Sequence, residues 1–317
     1  MNECKLTIFT PTYNRGYCLE NLYKSLLRQR YHDFEWIIID DDSIDNTEQI
    51  VQKWITTCKI NIKYIKQEHG GKHRAINKAL EIAKGEYFFI VDSDDMITDN
   101  AVELIYNWIK GINNEKIAGV SGTRISQNGK IWGGKPSMSK EKYVDASNFE
   151  REKYNLLGDK AEIFKTEILK KYKFPEFENE YFVTEDVCYQ EIAANGYKIR
   201  WYDEPIYISE YLEDGLTNGG ANDFNGHKNN FKGYCYWIKR GLKVKPFENE
   251  YILMRDYIKT SKKMRISYIQ MARNIEMNII KFGFYIIIAP FSYITRKIKI
   301  RKWTNEWISK CCNNNIW

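Results

Sequence analysis

The stretch Gly85-Glu86-Tyr87-Phe88-Phe89-Ile90-Val91-Asp92-Ser93-Asp94-Asp95 decides how this chain is read, because an apolar run bounded by turn formers leads directly into three carboxylates. Such a run reads as a buried strand, and open α/β sheets bind ligands outside the carboxyl ends of their strands. Asp92 and Asp94 are two residues apart with small Ser93 between them. One tight turn therefore lets both address a single hard cation, Mn2+ or Mg2+, while positions stay open for phosphate. A nucleoside diphosphate fits that chemistry. The plainer alternative is an acidic turn capping a helix that starts near Asp99.

Upstream, the pattern repeats. Residues 5–10 read as a strand, and Leu19, Leu22, Tyr23, Leu26 and Leu27 fall on one face of a helix at the 3.6-residue period. Residues 35–39 and 61–65 are further strands, Ile50, Val51, Trp54 and Ile55 mark a helix between them, and residues 74–84 form the helix that precedes the strand at 86–91. This β-α-β-α-β-α-β order predicts an α/β domain with a mostly parallel sheet covered by helices on both faces. Right-handed crossovers put the strand carboxyl ends on one edge. Residues 10–15, 40–45, 68–74 and 92–95 collect there. Residues 111–180 are mixed in pattern, with Gly133-Gly134 and Pro136 marking a loop and Phe174-Pro175 a turn. Glu185-Asp186 opens a helix ending at Asn195-Gly196, and residues 198–202 read as a strand. Residues 213–226, dense in Gly, Asn and Asp, read as a loop that orders when ligand binds.

The chain has 317 residues, 43% of them apolar, enough for one substantial domain at 1–215 and an accessory region at 216–317. Its net charge of +6 is uneven, since residues 251–317 carry 13 Lys/Arg against 3 Asp/Glu and the remainder is net acidic. The basic end calls for an anionic partner. Near it, residues 279–295 are apolar but interrupted by Lys281, Gly283 and Pro290, short of the ~20 unbroken apolar residues of a spanning helix. The basic run 296–302, with Trp303 and Trp307 beside it, suits a helix lying on an anionic membrane surface; a buried helix pair with a solvated charged face is the alternative. No nucleic-acid partner is expected. Seven cysteines form no C-x-x-C pair and read as reduced thiols, and the N-terminus shows no apolar leader, so a cytoplasmic location is expected, peripheral on the inner face of the cell membrane.

Four motifs occur in order: Thr10-Pro11-Thr12-Tyr13-Asn14-Arg15, then Ile39-Asp40-Asp41-Asp42-Ser43-Ile44-Asp45, then Asp92-Ser93-Asp94-Asp95, then Glu185-Asp186. Together, over about residues 5–215, they resemble family 2 glycosyltransferases of the GT-A fold. The resemblance implies an inverting transferase that moves one hexosyl or N-acetylhexosaminyl unit. The donor would be a UDP-sugar, and the acceptor a hydroxyl of a glycan or lipid-linked oligosaccharide in bacterial surface polysaccharide assembly. It places Pro11, Thr12, Tyr13 and Arg15 around uracil and ribose, and gives Asp41 the uracil imide N–H; an ionised carboxylate accepts only, which selects uracil over cytosine. It gives the metal to Asp94 and Asp92, with Ser93 and Asp92 also at the nucleotide sugar, and makes Asp186 the general base for the acceptor hydroxyl.

The sequence departs from the family pattern at Ile76, where an Arg is usual, so the phosphate contacts pass to Gly71, Lys72 and Arg74 beside a helix N-terminus. The loop starting at Asp214 would close over the substrates, and His227 is a candidate further metal ligand, although a lone histidine is more often structural. Arg200-Trp201 resembles part of the Q-x-x-R-W motif of processive synthases, but Tyr197 stands where the Gln would be. Single-sugar transfer is therefore expected. Two other readings compete: a sugar-phosphate nucleotidyltransferase, disfavoured because residues 10–15 lack glycine, and a non-catalytic scaffold in a glycan-assembly complex.

Overall fold

The computed structural model describes residues 4–138, 141–209, 223–244 and 250–288. Residues 214–222 of the lid expected at 214–226, the domain boundary at 215/216 and the basic run 296–302 with its tryptophans lie outside them. The chain divides into two compact units, Met1–Gly233 and Tyr234–Trp317.

The first unit begins as an alternating series: β1 (Leu6–Thr12), α1 (Leu19–Leu27), β2 (Phe34–Asp40), α2 (Thr47–Thr57), β3 (Asn61–Lys66), α3 (Lys72–Ile82) and β4 (Tyr87–Ile90). It continues through β5 (Met96–Ile97), α4 (Ala101–Lys110), β6 (Ile117–Ile125), β7 (Tyr143–Ala146), β8 (Lys160–Lys165), α5 (Thr166–Lys171), α6 (Asp186–Ala194), β9 (Lys198–Ile208) and α7 (Phe224–Asn229). The sheet order is β3-β2-β1-β4-β8-β6-β9-β5, with β7 beside β9. The first four strands are mutually parallel. Beyond them the sheet is mixed: β8 runs antiparallel to both β4 and β6, while β6 and β9 are parallel.

Strand alternation explains the two cores. In β2, Trp36 and Ile38 pack with Leu22 and Leu26 of α1, Trp54 of α2 and Ile105 of α4. Ile37 and Ile39, pointing the other way, pack with Ile76 and Leu80 of α3, Ile168 of α5 and Ile192 of α6. With period-2 side chains and helices on both faces, every β2 residue is buried. The parallel register pairs Thr12 with Asp40, and Phe9 with Ile90, so these strands end side by side.

Helix α8 (Phe231–Val244) begins at the end of the first unit, and within the second unit lie α9 (Glu250–Lys263), α10 (Tyr268–Asn274) and α11 (Ile279–Ile288). Met254, Tyr257, Met271 and Phe282 are buried there, and the Tyr257 hydroxyl donates to the Met271 carbonyl at 2.8 Å. Among the described residues no helix is long and apolar enough to cross a membrane. On α11, Ile280, Phe284 and Ile287 are exposed at i, i+4 and i+7.

Candidate active site

The edge where β1, β2 and β4 end gathers the polar loops. The backbone N–H of Asp41 donates to Thr12 O at 2.8 Å, and Gln67 N–H to Asp40 O at 2.8 Å, which ties the loop after β2 to its neighbours on both sides. Asp40 is fully buried and shapes the turn, accepting from Ser43 N–H at 2.7 Å and from the Tyr64 hydroxyl at 2.5 Å. Asp45 accepts from Gly16 N–H and Thr47 N–H at 3.0 Å each. Burial works against its charge, but these bonds and one from the Thr47 hydroxyl prevail and keep it below its ordinary value. Thr12 Oγ1 is buried at this edge without a hydrogen-bond partner.

Asp41 is the acceptor at the centre of one half of the site. One oxygen takes Gln67 Nε2 at 2.7 Å and Gly70 N–H at 2.9 Å; the other takes Gly71 N–H at 2.8 Å and lies 2.9 Å from His69 Nδ1, which also stands 3.3 Å from the Asp41 carbonyl oxygen. The glycine N–H groups expected to meet phosphate thus meet an internal carboxylate. Gly71 has φ +87°, and a Cβ there would lie 1.8 Å from Tyr181 O, so only glycine fits. The His69 ring lies between two tyrosine rings, 4.7 Å from Tyr13 and 4.7 Å from Tyr181.

In the other half, Lys72, the first residue of α3, joins two motifs. Its ammonium is 2.6 Å from Asp92 Oδ1 and 2.8 Å from Glu185 Oε1. Burial alone would depress the lysine, but Asp92 and then Glu185 outweigh it and hold the ammonium well above its ordinary value. Burial likewise opposes ionisation of Asp92, and Lys72 reverses the balance so that its carboxyl stays low. Asp94 is pushed up by burial and by Asp92, and makes no ion pair among the described residues. Asp95 is pushed up to about 8 by burial and Asp92. It accepts from the Tyr207 hydroxyl at 2.7 Å, which itself accepts from Asp92 N–H at 3.0 Å. Asp186 opens α6 and is exposed, next to the Glu185 that Lys72 holds.

Two carboxylates, with the remaining positions left to phosphate oxygens and water, are the donor set that Mg2+ takes at nucleotide sites; Asp94 and Asp92 have that chemistry, but Asp92 is paired with Lys72 at 2.6 Å and would have to share its other oxygen with a cation. Among the described residues no cluster of three or more His, Cys, Asp or Glu forms, so His227 does not join them.

Several expected contacts lie elsewhere. Arg74 straps a distant loop instead of facing phosphate, donating to Gly70 O at 2.6 Å, Phe177 O at 2.5 Å and Glu180 O at 2.7 Å. Arg15 donates to the Tyr17 hydroxyl. Ser93 is buried, and its carbonyl accepts from the Cys18 thiol at 3.7 Å. Pro11 is half-buried in β1. Ile76 packs in the core against the sheet, 1% exposed, which is why an arginine has no place there. Arg200 makes a bidentate pair with Asp145 at 2.8 Å, and Trp201 Nε1 donates to Ala146 O, so this dipeptide braces β7 against β9. Sequence reasoning missed Tyr181 and Gln67; a tyrosine four residues before Glu185 is the sequence's one signal for the first.

His73 carries a testable consequence. It is 1% exposed, both ring nitrogens lack a hydrogen-bond partner, and burial, with Arg74 next in effect, pushes its pKa down to about 4. A histidine depressed on folding contributes stability that is complete above pH 6.5, its ordinary value, and is lost as pH falls through about 4. Denaturant unfolding is expected to show a decline of up to about 1.4 kcal/mol per pH unit across that window, flattened in His73→Leu.

Comparison with known proteins decides the family. The profile described as Glycosyl transferase family 2 matches residues 7–173, more than half of the chain. The chain belongs to this family. The α/β sheet described above is the GT-A fold of that family, and the chain spans about a third of the length of the first relatives it matches. This family 2 member is 34% identical over 106 residues to Glycosyltransferase GlyG of Streptococcus pneumoniae, and 35% identical over 122 residues to the poly(ribitol-phosphate) β-N-acetylglucosaminyltransferase TarP of Staphylococcus aureus. These matches cover 33% and 37% of the chain, and 35% and 37% of the two relatives. A longer match, 27% identical over 84% of this chain and 81% of the relative, is to a GalNAc(5)-diNAcBac-PP-undecaprenol β-1,3-glucosyltransferase of Campylobacter jejuni. Among solved structures, S. aureus TarS 1–349 in complex with UDP-GlcNAc superposes with a TM-score of 0.60 at 23% identity, covering 81% of this chain and 72% of TarS. A Pyrobaculum calidifontis mannosyltransferase in complex with GDP-Man and Mn2+ gives 0.52 at 16% identity, over 99% and 87% of the two chains. At those identities the likeness shows the fold.

Proposed function

We propose that this glycosyltransferase moves a single sugar from a UDP-sugar to a hydroxyl of a glycan acceptor, lipid-linked, in surface-polysaccharide assembly, with inversion at the anomeric carbon. The observation that carries this reading is the Lys72 bridge, because it ties the Asp92 turn at the end of β4 to the Glu185-Asp186 start of α6. The diphosphate pole and the proton-accepting pole of a transfer reaction are thereby held by one side chain. Asp41 serves the base, and uridine binding requires one of its four donors to give way, since a carboxylate offers about four lone-pair directions. Asp186 takes the acceptor proton as the C–O bond forms and the UDP oxygen leaves. A divalent cation held by Asp94 and Asp92 would offset the charge that grows on the departing diphosphate. The complex of TarS with UDP-GlcNAc and the GalNAc(5)-diNAcBac-PP-undecaprenol named for the C. jejuni glucosyltransferase favour this donor and acceptor class. For the second unit, the exposed Ile280, Phe284 and Ile287 favour contact with a membrane surface, and the excess of Lys/Arg in residues 251–317 favours an anionic one.

A thermal-shift screen of UDP-, GDP- and dTDP-sugars with and without Mn2+ tests the reading. UDP-sugars are expected to raise the melting temperature, and more so with Mn2+. Stabilisation by UTP alone, with pyrophosphate released from UTP and a sugar phosphate, would replace the transferase reading with a nucleotidyltransferase.

A further inference from the structure

His69 has the three attributes by which a protein recognises uracil. It is a flat heterocycle, both its faces are covered by tyrosine rings, and a ring nitrogen lies 2.9 Å from an Asp41 carboxylate oxygen, where an imide N–H would donate. Tyr13 and Tyr181 are 47% and 49% exposed and the His69 side chain is 41% exposed, so the stack is open to solvent and not part of a core. Beside it lies a cavity of about 510 Å³ lined in part by Gln67, His69, Arg74, Lys78 and Tyr181, which gives the ring somewhere to go.

We propose that His69 is an internal surrogate for the nucleotide base: in the empty enzyme it occupies the slot between Tyr13 and Tyr181 on Asp41, and a uridine nucleotide binds by displacing it into the adjoining cavity. This rests on the uridine-donor reading above and deepens it. Two roles follow. Tyr181 becomes a base-stacking residue supplied by the segment before α6, which Arg74 and Asn230 hold in place; Asn230 Oδ1 accepts from Tyr181 N–H at 2.8 Å. His69 becomes a specificity residue, because a nucleobase must offer both a flat face and an N–H to Asp41 to compete with it. Occupied most of the time, the slot lowers apparent affinity by the fraction of molecules in which it is free.

Titration of UDP into the wild-type chain, His69→Ala and His69→Phe tests this. The side chain is half-exposed and Asp41 keeps its Gln67, Gly70 and Gly71 donors, so both variants are expected to fold. His69→Ala is expected to bind UDP about tenfold more tightly, as removal of a competitor worth one decade of occupancy requires. His69→Phe keeps the stack but not the bond to Asp41, and falls between Ala and wild type. Added imidazole should bind His69→Ala, raising its melting temperature and competing with UDP, and do neither to the wild type. Weaker or unchanged UDP binding by His69→Ala, or no imidazole effect on it, overturns the proposal. If no form binds UDP, the donor reading fails, while the imidazole arm still decides whether the slot accepts a flat N–H heterocycle.

Discussion

Asp186→Asn is expected to leave UDP affinity unchanged within about twofold and to lower sugar transfer by about 10²–10⁴-fold, the usual worth of a positioned general base. The amide has the shape of the carboxylate and still accepts hydrogen bonds, but it cannot take a proton. Asp186 stands at the first position of α6, exposed, one residue beyond the Glu185 that Lys72 holds. A helix N-terminus favours the ionised form, which keeps a base ready at neutral pH at some cost in basicity. The fold should not suffer, because a lost charge at a helix start costs about 0.3–1 kcal/mol. Parallel measurement of transfer rate and UDP binding separates the two steps. A variant with full turnover would remove Asp186 from the role of base.

The second large effect concerns Lys72. Lys72→Met leaves the Asp92 and Glu185 carboxylates facing each other with their shared cation gone. Removing one member of a fully buried ion cluster costs about 3–5 kcal/mol and of a solvated pair about 1 kcal/mol or less, and with these side chains 18–29% exposed the loss is expected to lie between the two. Denaturant unfolding at pH 7 should register a loss of that size, and the double variant Lys72→Met/Glu185→Gln should recover part of it by removing one of the stranded charges. UDP binding is expected to fall as well, since the Asp92 turn loses its anchor to α3. A stability change below about 1 kcal/mol would mean that the bridge is a solvated contact of little weight.

The sequence carried the first half of the sheet plainly because its strands are buried on both faces. Phe34–Asp40 is apolar nearly throughout, and its neighbours alternate with helices of clear 3.6-residue period. Strands β6 and β8 escaped for a physical reason. Gly119 and Gly122 lower the apolar signal of β6, yet they let it pack closely: a Cβ on Gly119 would lie 2.0 Å from Ile163 O, and one on Gly122 2.7 Å from Ile206. Likewise, the antiparallel insertion of β8 between β4 and β6 depends on pairing across 37 residues of sequence or more, the separation of Thr123 and Lys160, which no local pattern records.

At the site, residue types were legible and their partners were not. Lys72 was recognised as the local cation, but its addressees are carboxylates 20 and 113 positions away. The sequence points Arg74 at phosphate because it is a local cation beside Gly70-Gly71 at a helix N-terminus. Its donors go instead to carbonyls of a loop about 100 residues downstream, where nothing in the local sequence shows that unsatisfied acceptors await it.

The central claim is that Asp41 and the Asp92-Asp94 turn serve one ligand. Calorimetric titration of UDP with Mn2+ into the wild-type chain, Asp41→Ala and Asp94→Ala tests it most directly. The account predicts saturable binding by the wild type and loss of binding, by at least about tenfold in Kd, in each variant separately. Two variants that fold and bind UDP as the wild type does would contradict it.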